Sequence, residues 1–229
     1  MKTPEMHFYF DYLSPYAYFA WRQIQPLCQR YTVNLRAHPV VFGKLLDHWG
    51  QLGPAEIAPK KVALYKYCYR YAELHGFKFN PPRFHPYNPL PSLRLSLPEV
   101  SGAHQSHMID SLFSAGWSEG ADLASTMELA PILNSAGFDA SALLAAIETQ
   151  EVKDALHRET ELAIGQGVFG VPTFLIDGEL FWGNDQIEHI ELFLQGKDPI
   201  KPEHLEEMLA RPRGIDRVKT TDSPTPLTS

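Results

Sequence analysis

Residues 7–21 read HFYFDYLSPYAYFAW, and this stretch decides the fold. Its apolar first half, Phe8–Phe10, has the length of a strand, and its second half begins an amphipathic helix that reaches about Tyr31. Between them stand Ser14, a favoured N-cap residue, and Pro15, which the first helical position tolerates. The sequence therefore predicts a serine hydroxyl at the positive end of a helix dipole, a place that suits an anion such as a thiolate. The alternative is that Ser14 only caps the helix.

A second strand follows the helix and completes a βαβ unit. Residues 33–41, VNLRAHPVV, begin with the alternation of apolar and polar side chains that is typical of a half-buried strand. A strand, a helix and a strand in this order predict parallel strands with a right-handed crossover. Residues 42–58 contain several glycines, and we expect a loop there, at the strand end where α/β proteins place ligand contacts.

The middle of the chain has a helical pattern. A helix is predicted from about residue 59 to His75, ended by Gly76, and tyrosines at every second position from Tyr65 to Tyr71 surround it. These tyrosines either pack in the core or line an apolar pocket or a partner surface. Residues 77–92 are rich in proline and aromatic side chains, which indicates an ordered loop, with Ser92 as the cap of a short helix. Helical patterns then continue to about residue 164.

Strand patterns return after this helical block. Residues 171–177 and 179–182 flank Asp177-Gly178, a dipeptide typical of a hairpin turn. Asn184 and Asp185 are N-cap candidates for a last helix. The order is therefore βαβ, a helical block and ββα, which predicts a thioredoxin-like α/β fold with a large all-helical insertion.

This order also predicts the division into domains. We expect a discontinuous thioredoxin-like domain formed by residues 1–58 and 166–200, with a helical insertion of residues 59–165. Residues 201–229 form a C-terminal extension with one short helical segment and a partly disordered end rich in Pro, Thr and Ser.

Composition excludes several classes of function. The formal net charge of -7 and the absence of a basic run argue against a nucleic-acid partner. No apolar stretch approaches the ~18 residues of a membrane span, and no signal peptide is recognised, so we expect a cytoplasmic protein without a membrane partner. Cys28 and Cys68 are not in a Cys-x-x-Cys motif and are expected to be buried, inert thiols. No metal site is expected, because His104 and His107 lack further ligands.

Three separated segments carry a resemblance to a known family. Residues 10–18 read FDYLSPYAY, residues 167–174 read GVFGVPTF and residues 181–186 read FWGNDQ. In this order and spacing they resemble the 2-hydroxychromene-2-carboxylate isomerases, which belong to the DsbA-like thioredoxin superfamily alongside the kappa-class glutathione transferases. The resemblance extends over about residues 6–196.

The resemblance implies glutathione as cofactor and Ser14 as the catalytic residue. DsbA-like oxidases place the first cysteine of Cys-x-x-Cys at this turn, where the helix dipole lowers the pKa of the thiol. Residues 14–17 of this chain read SPYA, so no protein thiol is present there for redox exchange. In the isomerase and kappa branch the serine stabilises the glutathione thiolate through a hydrogen bond. Tyr16, on the same turn, is expected on the substrate side.

The resemblance also implies glutathione-binding roles at the other two segments. Val171 and Pro172 would form a cis peptide whose backbone pairs with glutathione, although Pro172 alone suits an ordinary strand start. Asn184 and Asp185 would hold the γ-glutamyl end, or only cap the last helix. Many relatives have arginine where this chain has Gln186, so the resemblance assigns no role to that position.

Two further loops carry weaker implications. Gln51 stands where the family has a glutathione-contacting asparagine, and Lys61 or its neighbour Lys60 would meet the glycine carboxylate of glutathione, unless both are merely solvated. On the substrate side, Asn88 would bind the second substrate or support its own loop. Arg83, or alternatively Arg94, would meet a substrate carboxylate.

The resulting hypothesis is a glutathione-dependent isomerase of an aromatic-derived carboxylate, converting a 2-hydroxychromene-2-carboxylate to the trans-o-hydroxybenzylidenepyruvate type in aromatic degradation. The resemblance further implies a homodimer. One alternative is a kappa-like glutathione S-transferase that consumes glutathione. A second is a non-catalytic binding or chaperone module with a thioredoxin-like fold. The sequence does not identify the acid or base of an isomerisation.

Overall fold

The computed structural model describes residues 3–215, and it contains a mixed four-stranded sheet. The strands are β1 (Glu5–Phe10), β2 (Asn34–Pro39), β3 (Thr173–Ile176) and β4 (Glu179–Trp182). Their order in the sheet is β2-β1-β3-β4, with β1 parallel to β2 and antiparallel to β3, and with β3 antiparallel to β4. The predicted thioredoxin-like α/β fold is confirmed.

The first crossover forms as the sequence predicts. Helix α1 (Pro15–Tyr31) joins the parallel strands β1 and β2 as one continuous helix, and Ser14 is its N-cap. Thr32 ends the helix in the left-handed region, with φ 53°. Because the crossover returns the chain beside β1, the turn at Ser14 lies at the carboxyl end of a central strand.

The expected loop over residues 42–58 is wrong for its first half. Helix α2 (Phe42–Trp49) occupies this segment, and a single 3-10 turn follows at Pro54–Glu56. Leu45 and Leu46 are buried, on the face of α2 that also carries Phe42 and Trp49. Gly50 ends the helix with φ 63°, a conformation that glycine adopts without strain.

The block between the two halves of the sheet is helical, as predicted. Its helices are α3 (Ala58–His75), α4 (Leu90–Leu95), α5 (Pro98–Ser101), α6 (Gln105–Phe113), α7 (Thr126–Ser135), α8 (Ala140–Ala146) and α9 (Gln150–Gly165). Gly76 ends α3 as expected. The prediction that Ser92 caps a helix is wrong, since Ser92 lies inside α4 and donates a hydrogen bond to the Pro89 carbonyl at 2.9 Å. No helix of residues 3–215 is both long and apolar enough to cross a membrane.

The C-terminal half of the fold is a hairpin followed by two helices. Asp177 and Gly178 form the predicted turn, with φ values of 49° and 89°. Helices α10 (Ile187–Leu194) and α11 (Pro202–Leu209) follow. The expected disorder of the C-terminal extension falls mostly on residues 216–229, which lie outside the described residues.

One hydrophobic core joins the sheet to the helical block. Phe10 and Tyr12 contact Phe113 of α6, with ring centroids 5.5 Å and 4.6 Å apart. A second, smaller cluster on the other face of the sheet contains Tyr9 and Leu45 of α2. The division into a thioredoxin-like domain and an insertion stays a prediction, and the two parts share their largest core.

Candidate active site

Ser14 lies at the turn between β1 and α1 and is 6% exposed. Its hydroxyl oxygen accepts the Ala17 backbone N–H at 3.2 Å, which is the N-cap contact that the sequence predicts. The hydroxyl proton is donated to the Val171 carbonyl oxygen at 3.3 Å. This second contact is long, so the hydroxyl can rotate toward an anion in the cleft and donate to it instead.

Val171 and Pro172 face this turn, and the peptide bond between them is cis. The Pro172 carbonyl accepts the Gly183 N–H at 3.0 Å, which fixes the start of the following turn. The structure therefore brings Ser14, the Val171–Pro172 peptide and residue 183 together, although they are distant in the sequence.

Residues 184–186 form a 3-10 turn that leads into α10. The interpretation of Asn184 and Asp185 as N-caps is wrong, because Gln186 precedes the helix and no side chain caps it. Asn184 is 4% exposed and donates to the Tyr67 hydroxyl at 3.0 Å, and it lines the same cleft as Asp185. Asp185 lines the cleft described next.

The cleft beside Ser14 has two lobes. The first lobe, of about 430 Å³, contains Ser14 and is bounded by α2 and by residues 77–89, which we call the proline-rich loop. The second lobe, of about 540 Å³, contains the Val171–Pro172 peptide and residues 183–186. Seven residues line both lobes, so the two are continuous. They are Tyr16, Phe42, Leu46, Gln51, Leu52, Pro54 and Val171.

The start of α3 contributes a lysine to the cleft, and it is Lys60. Lys60 lines the second lobe, whereas Lys61 donates to the His85 carbonyl at 2.8 Å and supports the proline-rich loop. The structure therefore favours Lys60 for a contact with a ligand in the second lobe, and a ligand-binding role for Lys61 stays a prediction. Successive helical side chains point about 100° apart, so only one of two adjacent lysines faces the cleft. Gln51 lines both lobes, and its contact with glutathione stays a prediction.

Two tyrosines form part of the wall between α1 and α3. Tyr16 lines both lobes, and its ring packs edge-on against Tyr67, with centroids 5.3 Å apart. Burial raises the pKa of Tyr16 to about 12, so its phenol remains a neutral hydrogen-bond donor. Of the α3 tyrosines, Tyr67 lines the second lobe, while Tyr69 is 54% exposed. Tyr65, Tyr67 and Tyr71 pack against the core, so the helix both contributes to the core and lines the pocket.

The structure does not bring Asn88 and Arg83 to the cleft. The Asn88 side chain accepts the Leu90 N–H at 3.1 Å and so supports its own loop, which was the alternative interpretation. Arg83 is exposed and lies over the Phe84 ring at 5.3 Å. Arg94, the other arginine considered, lies 3.8 Å from Glu148 and does not line either lobe.

His85 is a residue of the site that the sequence interpretation missed. It lines the first lobe together with Ser14. Its Nε2 lies 2.8 Å from the Leu13 carbonyl, which only an N–H can satisfy, so Nδ1 accepts from the Tyr65 hydroxyl at 3.0 Å. Burial lowers the pKa of His85, which favours the neutral ring. The available signal was a histidine inside a loop rich in proline and aromatic side chains.

We next ask whether the side chains of this protein could provide a reactive thiol or a metal site. Cys28 and Cys68 are free and buried, and burial raises the pKa of Cys28 to about 11 and that of Cys68 to about 12. Within residues 3–215, no group of three or more His, Cys, Asp or Glu side chains is arranged to hold a metal ion. A nucleophilic sulfur at Ser14 would therefore have to come from a ligand.

Comparison with known proteins agrees with this geometry. Residues 5–195 match the DSBA-like thioredoxin domain family. A 2-hydroxychromene-2-carboxylate isomerase of Pseudomonas putida is 31% identical over 191 residues, which cover 80% of this chain and 91% of that protein. Glutathione S-transferase kappa 2 of Caenorhabditis elegans is 24% identical over 202 residues, covering 82% and 90%. The solved structure of a 2-hydroxychromene-2-carboxylate isomerase superposes with a TM-score of 0.78 at 25% identity, covering 90% of this chain and all of that one.

Proposed function

Because the chain belongs to the DSBA-like thioredoxin family, and within it to the 2-hydroxychromene-2-carboxylate isomerases, we propose that it is a glutathione-dependent isomerase. The proposed substrate is an aromatic-derived carboxylate of the 2-hydroxychromene-2-carboxylate type, which is converted to a trans-o-hydroxybenzylidenepyruvate in aromatic degradation. The named activity of the relatives supports the substrate class.

One observation carries the proposal. Ser14 occupies a helix N-terminus in the first lobe, where its family places either a redox cysteine or a thiol-binding serine, and it contacts Val171, which lines both lobes. Its hydroxyl, together with the dipole of α1, would stabilise a thiolate that reaches the first lobe from the second. Lowering the pKa of a thiol by about two units corresponds to roughly 2.7 kcal/mol, which one charge-assisted hydrogen bond and a helix terminus can supply.

The second lobe has donors and charges that fit the parts of glutathione. The Val171–Pro172 backbone would pair with the peptide part, and the N–H groups of residues 183–186 would receive the γ-glutamyl carboxylate. Asp185 would meet the γ-glutamyl ammonium, and Lys60 would meet the glycine carboxylate. Gln51 lies between the lobes and would contact the glutathione backbone.

Bound glutathione would supply a thiolate nucleophile that bonds to a conjugated carbon of the substrate and later leaves, which allows rotation about the former double bond. Ser14 holds the sulfur and fixes its direction of approach. His85 is the group we assign to proton transfer: Nδ1 takes the proton of the substrate hydroxyl in place of Tyr65 and returns it to the ring oxygen as the ring opens. Tyr16 and the apolar side chains of the first lobe hold the aromatic ring and exclude water.

Product analysis with both substrate types tests the activity. The isomerase proposal predicts turnover that requires glutathione but leaves its total concentration unchanged. A kappa-like transferase, which the kappa relative makes the second candidate, would consume one glutathione per turnover. Calorimetry with S-methylglutathione, a thioether that cannot react, provides the binding measurement. If the protein binds neither glutathione nor this analogue, the proposal fails and a non-catalytic thioredoxin-like module remains.

We further propose a cytoplasmic location and a homodimer. The two free, buried thiols support a reducing compartment, which is also where glutathione is available as a thiol. Exposed apolar side chains on α3, including Val62 and Leu74, would suit a subunit interface. Light scattering at several concentrations checks the dimer, and a single monomeric mass at all of them would contradict it.

A further inference from the structure

Asp11 is a buried carboxyl group next to the cleft, and the proposed mechanism does not use it. It lies directly after β1, three residues before Ser14, and is 0% exposed. One carboxylate oxygen accepts the Leu13 N–H at 2.9 Å, and the other accepts the Phe42 N–H at 2.9 Å. Leu13 and Phe42 both line the first lobe. The carboxylate thus connects two segments that line the same lobe.

The contact with Phe42 takes the place of a helix cap. Helix α2 begins at Phe42, and its N-cap residue, Val41, has no side chain that can accept a hydrogen bond. The first N–H groups of a helix need an acceptor, and the helix dipole favours a negatively charged one. Asp11 provides it from a segment 31 residues away. The position of α2 relative to the Ser14 turn therefore depends on this carboxylate.

The surroundings of Asp11 leave its charge unbalanced. Two phenols lie near it, Tyr12 on the same turn and Tyr87 from the proline-rich loop, and their pKa values are raised by burial and also by the charge of Asp11. Among the described residues, no cation contributes to the pKa of Asp11, and burial raises that pKa to about 7 despite the two N–H contacts. Burying a carboxylate without a counter-ion costs free energy. The hydrogen bonds that it accepts from Leu13 and Phe42 offset part of this cost.

We propose that the Asp11 carboxylate is a positioning residue that holds the Ser14 turn and the first turn of α2 at a fixed separation. It thereby sets the shape of the lobe in which sulfur and substrate would meet, a consequence that rests on the proposed function. When the carboxyl group takes up a proton, one oxygen becomes a hydroxyl group and a poorer acceptor. One of the two N–H contacts then weakens, and α2 is no longer held to the turn.

Backbone amide NMR of the free, full-length protein tests the positioning directly. Over about pH 5 to pH 9, the amide signals of Leu13 and Phe42 should shift together with one midpoint, near the Asp11 pKa of about 7. Asp11→Asn should abolish the shared midpoint. The matched control is Asp198→Asn. Asp198 accepts the Ile200 N–H at 3.0 Å, just as Asp11 accepts the Leu13 N–H, but Asp198 does not line the cleft. This control should leave the midpoint unchanged.

Calorimetry with S-methylglutathione at the alkaline end of this range supplies the second measurement. Asp11→Asn should weaken binding about tenfold, as expected for the loss of one hydrogen bond to a charged group, and Asp198→Asn should not. Independent titration of Leu13 and Phe42 in the wild type would overturn the proposal, and this result does not require Asp11→Asn to fold. Failure of the wild type to bind the analogue would contradict the proposed function instead, while the amide titration would still decide the role of Asp11.

Discussion

His85 is the residue whose protonation the proposed reaction needs most directly. Its ring lines the first lobe, and the Leu13 carbonyl fixes the proton on Nε2, leaving Nδ1 as the acceptor. A base must be neutral to act, and burial lowers the pKa of His85 below its ordinary 6.5. The base should therefore stay active at neutral pH, and the loss of activity that is due to His85 should appear only as the pH falls through this lowered pKa, below the titration of Asp11.

Replacing His85 separates proton transfer from binding. His85→Gln should lower kcat about a hundredfold, because the amide cannot carry a proton, and should remove the part of the acid limb that lies below the ordinary histidine pKa of 6.5. The affinity for S-methylglutathione should change less than about twofold, since His85 does not line the second lobe. His157→Gln is the control, because the His157 side chain is 67% exposed on α9. An unchanged acid limb in His85→Gln would contradict the assignment.

Asp11 should make stability depend on pH in a direction opposite to that of an ion-paired carboxylate. Its pKa is about 7 in the folded protein and about 3.9 in an unfolded chain, so the folded state binds the proton more tightly. Its contribution to stability is complete below about pH 4 and is lost as the pH rises toward 7, by at most about 4 kcal/mol.

Urea denaturation at several pH values checks this dependence. The free energy of unfolding of the wild type minus that of Asp11→Asn should fall between about pH 4 and pH 7 and stay constant above about pH 7. All other groups titrate in both proteins, so their effects cancel in this difference. A difference that does not vary with pH would show that the Asp11 carboxyl keeps an ordinary pKa.

Sequence interpretation at the residue scale succeeded where chemistry and local geometry coincide. Ser14 was predicted because a serine before a proline caps a helix, and the cap contact with Ala17 is present. Arg83 was chosen for its charge alone, and its exposed position over Phe84 depends on a loop path that residue type does not encode. His85 was missed for the converse reason, since its partners Leu13 and Tyr65 come from other segments.

At the scale of single elements, the first turn of α3 offers a comparison between two adjacent lysines. Lys60 lines the second lobe, and Lys61 supports the His85 carbonyl. Lys60→Ala should weaken glutathione binding about two- to fivefold, the effect of an exposed charge pair, with little change in the KM of the second substrate. Lys61→Ala should show the reverse pattern, because it releases the loop beside the first lobe. Calorimetry and steady-state kinetics separate these effects, and equal losses of glutathione affinity would contradict the assignment.

Helix α2 shows why an element can escape prediction. Its eight residues include Gly43, and its apolar side chains span only two turns, so the helical period is short. The sequence offers no N-cap before Phe42, because the acceptor is Asp11 on another segment. Longer elements with local signals, such as α1 after Ser14 and α3 before Gly76, were predicted close to their observed bounds. A cap supplied through tertiary structure cannot be seen in local sequence.

At the scale of the whole molecule, the shared core predicts that the sheet and the helical block unfold together. Phe113 of α6 is fully buried against Phe10 and Tyr12. Phe113→Ala should lower the free energy of unfolding by about 3–5 kcal/mol while keeping one transition. Phe84→Ala is the matched control, since Phe84 is 58% exposed, and it should cost less than about 1 kcal/mol. Separate transitions by circular dichroism and tryptophan fluorescence would contradict a common core.

The order of strands and helices was the part of the whole fold that could be predicted. It follows from periodicity and from the turn at Asp177-Gly178, which are local properties. The two-lobed cleft could not be derived in the same way, because its walls come from α1, α2, α3, the proline-rich loop and residues 183–186. Glutathione binding was predicted only from the resemblance of three segments to a known family. The side chains that complete the cleft, such as His85, were identified from the structure.

The ionisation of bound glutathione, followed by the ultraviolet absorbance of the thiolate against pH, tests the central role of Ser14. Ser14→Ala and Ser125→Ala each remove a helix-capping hydroxyl, from α1 and α7, and should lose a similar stability of about 1 kcal/mol. Only Ser14→Ala should raise the pKa of the bound thiol, by about one to two units, and so abolish the thiolate signal at neutral pH. An undiminished signal in Ser14→Ala, or an equal loss in Ser125→Ala, would contradict the account.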